Sequence, residues 1–256
     1  MIFQPAEEGG AGAAAMIKDG LMDRFGIQQV YGMHNGPGIP VGAFAIRPGP
    51  IMAATDSIDI EIEGLGGHAA RPHICIDSVL VGSQLITALQ SIVSRSVDPL
   101  ESAVISMCEF HAGNARNVIP HTAVLRGTVR TLTPEVRRLV EKRVHEIVDG
   151  VAQITGAKIK LQYERGYPVT VNHASHTDLA TRIAKEIAGD GNVHEMPPMM
   201  GAEDFSYMLE ARPGAFIFCG NGDTAGLHHP AYNFNDEAIV YGTSYWIKLV
   251  ENTLAA

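Results

Sequence analysis

The segment SIDIEIE, residues 57–63, alternates isoleucine with small polar or acidic residues. Successive side chains of a β-strand point to opposite faces, so this pattern places the isoleucines on one face and the polar residues on the other. Such a strand is typical of an antiparallel sheet that is covered on one side and solvated on the other. The segment therefore predicts a half-exposed sheet in the middle of the chain.

The elements around this strand extend the prediction to residues 55–164. Further strands are predicted at 103–110, 123–130 and 158–164, and helices at 77–94 and 133–154, the second with Thr133 as N-cap and Pro134 in its first position. The order strand, helix, strand, strand, helix, strand is that of an α+β ferredoxin-like unit. We expect this unit to be one domain.

Helices and buried strands alternate on either side of that unit. Helices are predicted at residues 9–21, 176–188 and 237–252, and strands at 29–33, 42–47 and 215–219, while residues 1–3 are typical of the end of an apolar strand. The simplest architecture is a discontinuous α/β domain, residues 1–54 and 165–256, with residues 55–164 inserted into it.

Composition excludes several classes of protein. The chain has 256 residues, 46% hydrophobic and 18% charged, and a net charge of -9, which argues against a nucleic-acid binder. It contains no basic amphipathic stretch and no apolar run long enough to span a bilayer, and residues 1–10 do not resemble a signal peptide. The three cysteines are scattered, which favours reduced thiols and a cytoplasmic location.

Two clusters near the start of the chain carry groups suited to metal chemistry. Glu7 and Glu8 follow the apolar residues 1–3, and adjacent carboxylates there point to different sides, so one can bind a metal while the other handles a proton. The alternative is an exposed acidic pair near a helix N-terminus. His34 ends a predicted strand, where it is either a metal ligand or a turn histidine bonded to backbone.

Two later clusters contain paired histidines. The loop GGHAARPH, residues 66–73, places His68 after two glycines, where an imidazole could stabilise an oxyanion or simply occupy a hairpin surface. In LHHP, residues 227–230, one of the two adjacent histidines could complete a metal site. Motifs for a serine nucleophile, a zincin helix or a phosphate loop are absent from the sequence, which favours a metal hydrolase.

Taken together, these clusters resemble the metal-dependent family of hippurate hydrolase, N-acyl-amino-acid amidohydrolase and auxin-conjugate hydrolase. The motifs that carry the resemblance are, in chain order, FQPAEEG at residues 3–9, GMH at 32–34, GGHAARPH at 66–73, NVIP at 117–120, GTVRT at 127–131, GAEDF at 201–205 and LHHP at 227–230. The resemblance covers essentially the whole chain. It implies a zinc-aminopeptidase-like α/β catalytic domain with an inserted ferredoxin-like dimerisation domain, and hydrolysis of the amide bond in small N-acyl-amino acids.

The resemblance also implies a metal centre. Glu7 matches the general base that takes a proton from the activated water. Glu8 and His228 match ligands of one ion, and His34 matches a ligand of the second, whereas His229 falls at a variable position. Zinc, manganese, nickel and cobalt all suit such carboxylate and imidazole ligands.

Other residues match positions that meet the substrate. His68 matches a residue of the inserted domain that reaches the active site of the partner subunit and steadies the oxyanion, which implies a homodimer. Asn117 and Arg130 match substrate contacts, and the arginine is suited to pairing with an α-carboxylate. Glu203 and the adjacent Asp204 are expected to line the site.

One family motif has no counterpart in the chain. Family members carry, upstream of FQPAEE, a segment like CGHDGH whose cysteine bridges the two ions and whose histidine binds one of them. The expectation is therefore an incomplete catalytic domain that lacks its N-terminal part. Three hypotheses follow: an amidohydrolase, a catalytically impaired remnant that acts as a dimerising scaffold, and a weak esterase that uses a single ion.

Overall fold

The computed structural model describes residues 1–254. Its helices are α1 (Gly12–Lys18), α2 (Leu21–Arg24), α3 (Ser78–Ser91), α4 (Pro134–Thr155), α5 (Ala174–Ala188), α6 (Ser206–Ala211) and α7 (Ala238–Leu254). Its strands are β1 (Val30–Pro37), β2 (Phe44–Ile46), β3 (Gly49–Met52), β4 (Ala54–Glu63), β5 (Gly67–His68), β6 (Ala103–Ala112), β7 (Val118–Ile119), β8 (Thr122–Thr131), β9 (Lys158–Arg165), β10 (Thr170–Asn172), β11 (Val193–Glu195) and β12 (Gly214–Gly222). None of these helices combines the length and apolarity that a bilayer span requires.

The chain divides into two compact units. The first unit contains Met1–Met52, Thr170–Met199 and the described residues from Glu203 onward. The second unit contains Ala53–Val169 and Met200–Ala202. Among the described residues, the second unit has one apolar core cluster and the first unit has two.

The second unit is built on a four-stranded antiparallel sheet in the order β6-β8-β4-β9. Ile58, Ile60 and Ile62 of β4 are buried in one core with residues of α3 and α4, while the alternate residues of the strand are more accessible. The predicted strand with one apolar face is confirmed. Both helices begin as their sequences predict, because the side chains of Asp77 and Thr133 accept hydrogen bonds from N–H groups of the first turn.

A buried polar cluster joins the start of β4 to α4 and β9. The Asp56 carboxylate accepts hydrogen bonds from Arg137 Nε at 3.1 Å, from Tyr163 Oη at 2.7 Å and from the Gly166 N–H at 3.3 Å. A second guanidinium nitrogen of Arg137 also contacts Asp56 and donates to the Gly166 carbonyl at 2.9 Å. Burial, followed by the bond to Asp56, raises the pKa of Tyr163 above its ordinary value.

The first unit is built on a mixed sheet in the order β1-β12-β2-β11. β1 and β12 are parallel, with Val30 opposite Gly214 and His34 opposite Phe218. β12 is buried along nearly its whole length because both of its faces are covered. One core includes residues of α5 and α7, and the other includes residues of α1 and α6.

Three predictions for this unit need correction. The helix expected at 9–21 is shorter, since α1 ends at Lys18 and Gly20 takes a left-handed φ of 88° before α2. The strand expected to end at Met33 continues to Pro37, because β12 pairs with it that far. Residues 1–3 form no strand, and the side chains of Met1 and Phe3 are exposed.

Candidate active site and metal centre

The loop from Gln4 to Ala11 presents the two predicted acidic residues just before α1. The loop is tight: Gly10 N donates to the Ala6 carbonyl at 2.9 Å, and a Cβ atom on Gly12 would lie 1.8 Å from the Pro5 carbonyl oxygen. Ala6 and Ala11 both have left-handed backbones, with φ of 55° and 47°. Alanine rarely adopts this conformation, so other contacts must hold the loop in place.

Glu7 is half-buried in this loop, whereas Glu8 is exposed. Oxygens of the Glu7, Glu203 and Asp204 carboxylates lie within 4.8 Å of one another. Burial, then the charges of Glu8 and Asp204, raises the pKa of Glu7, while a hydrogen bond from the Asp204 N–H and the nearby His34 act in the opposite direction. A carboxylate with a raised pKa is better matched to proton transfer near neutral pH than an ordinary glutamate.

Glu203 and Asp204 are both buried, and they precede α6 in the sequence. Glu203 accepts a hydrogen bond from the Phe205 N–H at 3.0 Å. Burial is the largest influence that raises the pKa of Glu203 to about 7, and the charges of Glu7 and Asp204 add to it. The side chain predicted to line the site is therefore a buried acid next to Glu7.

His34 lies within β1, not at the end of a strand as predicted, and it is half-buried. Its Nδ1 is 2.7 Å from the Asn35 carbonyl oxygen. Because a carbonyl can only accept, Nδ1 carries a hydrogen, and Nε2 is the ring nitrogen that the neutral tautomer offers to a metal ion. A histidine oriented in this way by backbone is suited to binding a metal ion.

Glu8 and His228 come together although they lie in distant parts of the sequence. Glu8 Oε1 is 3.8 Å from His228 Nε2, and both side chains are largely exposed. His228 has a left-handed backbone, with φ of 62°, in the loop that follows β12. Two ligand atoms that share one tetrahedral zinc ion lie about 3.4 Å apart, so this pair fits a common ion after a small adjustment.

The remaining predicted site residues belong to the second unit. His68 in β5 is exposed, and its Nδ1 accepts a hydrogen bond from the Ala70 N–H at 3.1 Å, so Nε2 carries the hydrogen and can donate. Asn117 is exposed directly before β7, and its carbonyl accepts from the Ala69 N–H at 3.0 Å. β5 and β7 pair, which holds these two residues on neighbouring strands of one hairpin-like loop.

Arg130 lies half-buried on β8. Its guanidinium donates to Thr128 Oγ1 and to the Val129 carbonyl through Nη1, and the group carries further N–H donors. Burial lowers its pKa from the ordinary value, although an arginine remains charged at neutral pH. A half-buried guanidinium with this spare capacity is suited to a ligand carboxylate.

The resemblance places Asp204 in the lining of the site but does not predict its contacts with the loop around Glu7. The Asp204 carboxylate accepts from the Gln4 side chain and from the Ala13 N–H at 3.0 Å, so it contacts both ends of the loop that carries Glu7 and Glu8. The motif GAEDF was noticed, but its acidic pair is indistinguishable by pattern alone from a surface pair. The burial of Glu203 and Asp204 in the structure is what distinguishes them from a pair of surface carboxylates.

A known protein family matches almost the whole chain. The pattern of peptidase family M20/M25/M40 matches residues 1–252. The chain belongs to this family. It is 42% identical over 250 residues to the hippurate hydrolase of Campylobacter jejuni, an alignment that covers 97% of this chain and 65% of that protein. The resemblance inferred from the motifs is confirmed.

Other relatives agree with this assignment. The N-acetyl-L-cysteine deacetylase of Bacillus subtilis is 42% identical over 240 residues, covering 94% of this chain and 57% of that protein. A solved Bacillus subtilis structure, YXEP, described as a dinuclear metal-binding peptidase of family M20, matches with a TM-score of 0.81 at 30% identity. That match covers 99% of this chain and 64% of the other. The chain therefore spans less than two thirds of the length of these relatives, between 57% and 65%. The α/β fold of the family is confirmed.

Proposed function

We propose that the first unit forms the active site of an amidohydrolase that cleaves the amide bond of N-acyl-amino acids such as hippurate. The observation that carries this proposal is the approach of Glu8 to His228, 3.8 Å apart, beside a half-buried Glu7 with a raised pKa. A pair of metal-binding groups next to a candidate base is the arrangement that metal-assisted hydrolysis requires. The names of the relatives support the same substrate class.

The donor set suits a divalent cation. Glu8 and His228 would hold one ion, and Nε2 of His34 would serve a second. A bound divalent ion would supply Lewis acidity, which lowers the pKa of water to about 7 in the best zinc cases. Carboxylate and imidazole donors fit zinc, manganese, nickel or cobalt.

Glu7 performs the proton transfers in this proposal. Its carboxylate accepts a proton from the attacking water and later delivers it to the amine that leaves. The burial that raises its pKa brings the carboxylate closer to the basicity that both steps need. The Asp204 N–H, which donates to this carboxylate, keeps the base in one orientation.

In the proposed reaction, residues of the second unit stabilise the oxyanion and bind the substrate. His68 would donate from Nε2 to the oxyanion, since its Nδ1 already accepts from Ala70. Asn117 and Arg130 would bind the substrate, with the guanidinium on its α-carboxylate. The order β6-β8-β4-β9 is that of a ferredoxin-like sheet, the fold that the resemblance assigns to the dimerisation domain of the family. On the strength of that resemblance we propose a homodimer in which His68 acts across subunits.

The test measures metal content and hydrolysis on the same sample. The 256-residue chain is purified, its bound metal is quantified, and hydrolysis of hippurate and of N-acetyl-amino acids is assayed with and without added manganese or zinc. The Glu7→Gln variant should keep the metal and lose about 100-fold to 10,000-fold in rate. The Glu8→Gln variant should lose metal, whereas Glu251→Gln, an exposed change on α7, should behave like the parent.

Two results would contradict the proposal. An unchanged rate in Glu7→Gln would show that this residue is not the base. Absence of both metal and turnover from the parent chain would favour the scaffold hypothesis over the amidohydrolase.

A further inference from the structure

Asp204 is fully buried, and protein groups already occupy both of its carboxylate oxygens. Oδ1 accepts a hydrogen bond from the Gln4 side-chain amide, and Oδ2 accepts from the Ala13 N–H at 3.0 Å. A buried carboxylate that is satisfied in this way has little remaining capacity for an ion. Its nearness to Glu7 therefore needs an explanation other than metal binding.

The contact with Ala13 replaces a missing helix cap. Ala11 is the N-cap residue of α1 and has no side-chain oxygen, so it cannot bond the free N–H groups of the first turn. By contrast, α3 and α4 are capped by their own residues Asp77 and Thr133. Asp204, 191 positions away in the sequence, supplies the acceptor that α1 lacks.

The contact with Gln4 secures the other end of the same loop. Between Gln4 and Ala13 the backbone passes through two left-handed alanines, Ala6 and Ala11, which is an unfavourable conformation for both. Glu7 lies inside this loop and accepts a hydrogen bond from the Asp204 backbone N–H. Asp204 thus contacts Gln4 before the Glu7–Glu8 pair, Glu7 itself, and Ala13 after the pair.

We infer that Asp204, together with Gln4, is a positioning residue that holds residues 4–13 in the conformation that aims Glu7 and Glu8 at their common site. The part of this inference that concerns catalysis rests on the proposed hydrolytic function. The part that concerns the loop does not.

Asparagine and leucine at position 204 separate geometry from charge. An asparagine can accept from the Ala13 N–H through its oxygen and donate to Gln4 Oε1, once the Gln4 amide turns by a half rotation. Leucine has a similar size and can do neither. If Asp204 acts by positioning the loop, Asp204→Asn should keep residues 4–13 in place and Asp204→Leu should not.

The experiment compares Asp204→Asn, Asp204→Leu and Gln4→Leu with the parent chain. The matched control is Asp19→Leu, which removes an exposed aspartate at the other end of α1. Three quantities are measured: amide hydrogen exchange of peptides from residues 1–18, affinity for manganese, and the separate values of kcat and KM for hippurate. The midpoint of thermal unfolding shows whether each variant is folded.

Asp204→Leu should lose exchange protection in residues 4–15, bind manganese more weakly, and lose about 100-fold in kcat with little change in KM, as expected for a misplaced catalytic group. Gln4→Leu should show the same changes to a smaller degree. Asp204→Asn should keep the exchange protection of residues 4–15 at the level of the parent. Asp19→Leu should stay close to the parent in all three measurements.

Parent-like exchange and kcat in Asp204→Leu would overturn the inference while leaving the proposed function intact. An Asp204→Asn variant as poorly protected from exchange as Asp204→Leu would also overturn it, because charge and not geometry would then matter. If the parent chain does not hydrolyse hippurate, the proposed function fails separately, and exchange in Asp204→Leu still decides whether Asp204 holds the loop.

Discussion

Replacement of Asp56 by asparagine should strongly destabilise the second unit. Asp56 is 3% exposed and Arg137 is 9% exposed, so the guanidinium would remain buried without its carboxylate. Removal of one partner of a buried ion pair typically costs about 3–5 kcal/mol. The new amide would also point a donor towards Arg137 or Tyr163, which both donate to Asp56 in the parent.

Two further variants separate the contributions to this loss. Tyr163→Phe removes one hydrogen bond to the same carboxylate and should cost about 1.5–3 kcal/mol, the range for bonds to charged groups. In an Arg137→Met background no buried cation remains, so Asp56→Asn should then cost less than about 1 kcal/mol. The order of the effects follows from the structure. The single Asp56 variant leaves the Arg137 guanidinium buried without its carboxylate, whereas in the Arg137→Met background the substitution removes a carboxylate that has already lost its cation.

Native-state hydrogen exchange is the appropriate assay. The single tryptophan, Trp246, lies on α7 in the first unit, so its fluorescence would not report on the second. The slowest amides of β4 and β9 measure the opening of the unit that contains Asp56. A loss of 3 kcal/mol corresponds to exchange more than about 100-fold faster. Exchange within about fivefold of the parent, or equal effects of Asp56→Asn with and without Arg137, would refute this reasoning.

Two other predictions concern the site. Burial raises the pKa of Glu203 from its ordinary value of 4.5 to about 7, so between these pH values the folded protein keeps a proton that the unfolded chain releases. The stability that the raised pKa contributes is fully present below pH 4.5 and is lost as the pH rises through 7. Glu203→Gln should therefore gain stability relative to the parent by about 3 kcal/mol as the pH rises from 4 to 8 in urea unfolding, and a constant difference would contradict it. Gly12→Ala should disrupt the loop and lower the rate of hydrolysis, because the added Cβ would lie 1.8 Å from the Pro5 carbonyl oxygen. Gly9→Ala is the control, since a Cβ atom there meets nothing within 4 Å. Equal rates of hydrolysis in the two variants would show that the close contact at Gly12 is unimportant.

Local pattern predicted the second unit well. The alternation in residues 57–63, the cap Thr133 and Pro134 at the first helical position all describe interactions between residues near in sequence. Such local interactions are enough to predict which face of a strand is buried and where a helix begins. The predicted starts of α3 and α4 are confirmed for this reason.

The first unit was predicted less completely. β1 runs past its predicted end because β12, which lies far along the chain, pairs with it up to Pro37. The short strands β10 and β11 and the helix α6 were not predicted, since segments of this length carry little periodicity of their own. Residues 1–3 are apolar enough for a strand but have no pairing partner among residues 1–254.

The amino-acid sequence was enough to identify the family and the residue types of the candidate site, because both can be read from short motifs in a fixed order. These motifs include the acidic pair in FQPAEEG, the histidine of GMH and the histidines of LHHP. Tertiary structure alone decided that Glu8 lies 3.8 Å from His228 and that Asp204 contacts both ends of the loop around Glu7. Hydrogen bonds and ligand pairs across about two hundred positions leave no periodic trace in a sequence, since they depend on where the strands and helices between them bring the chain.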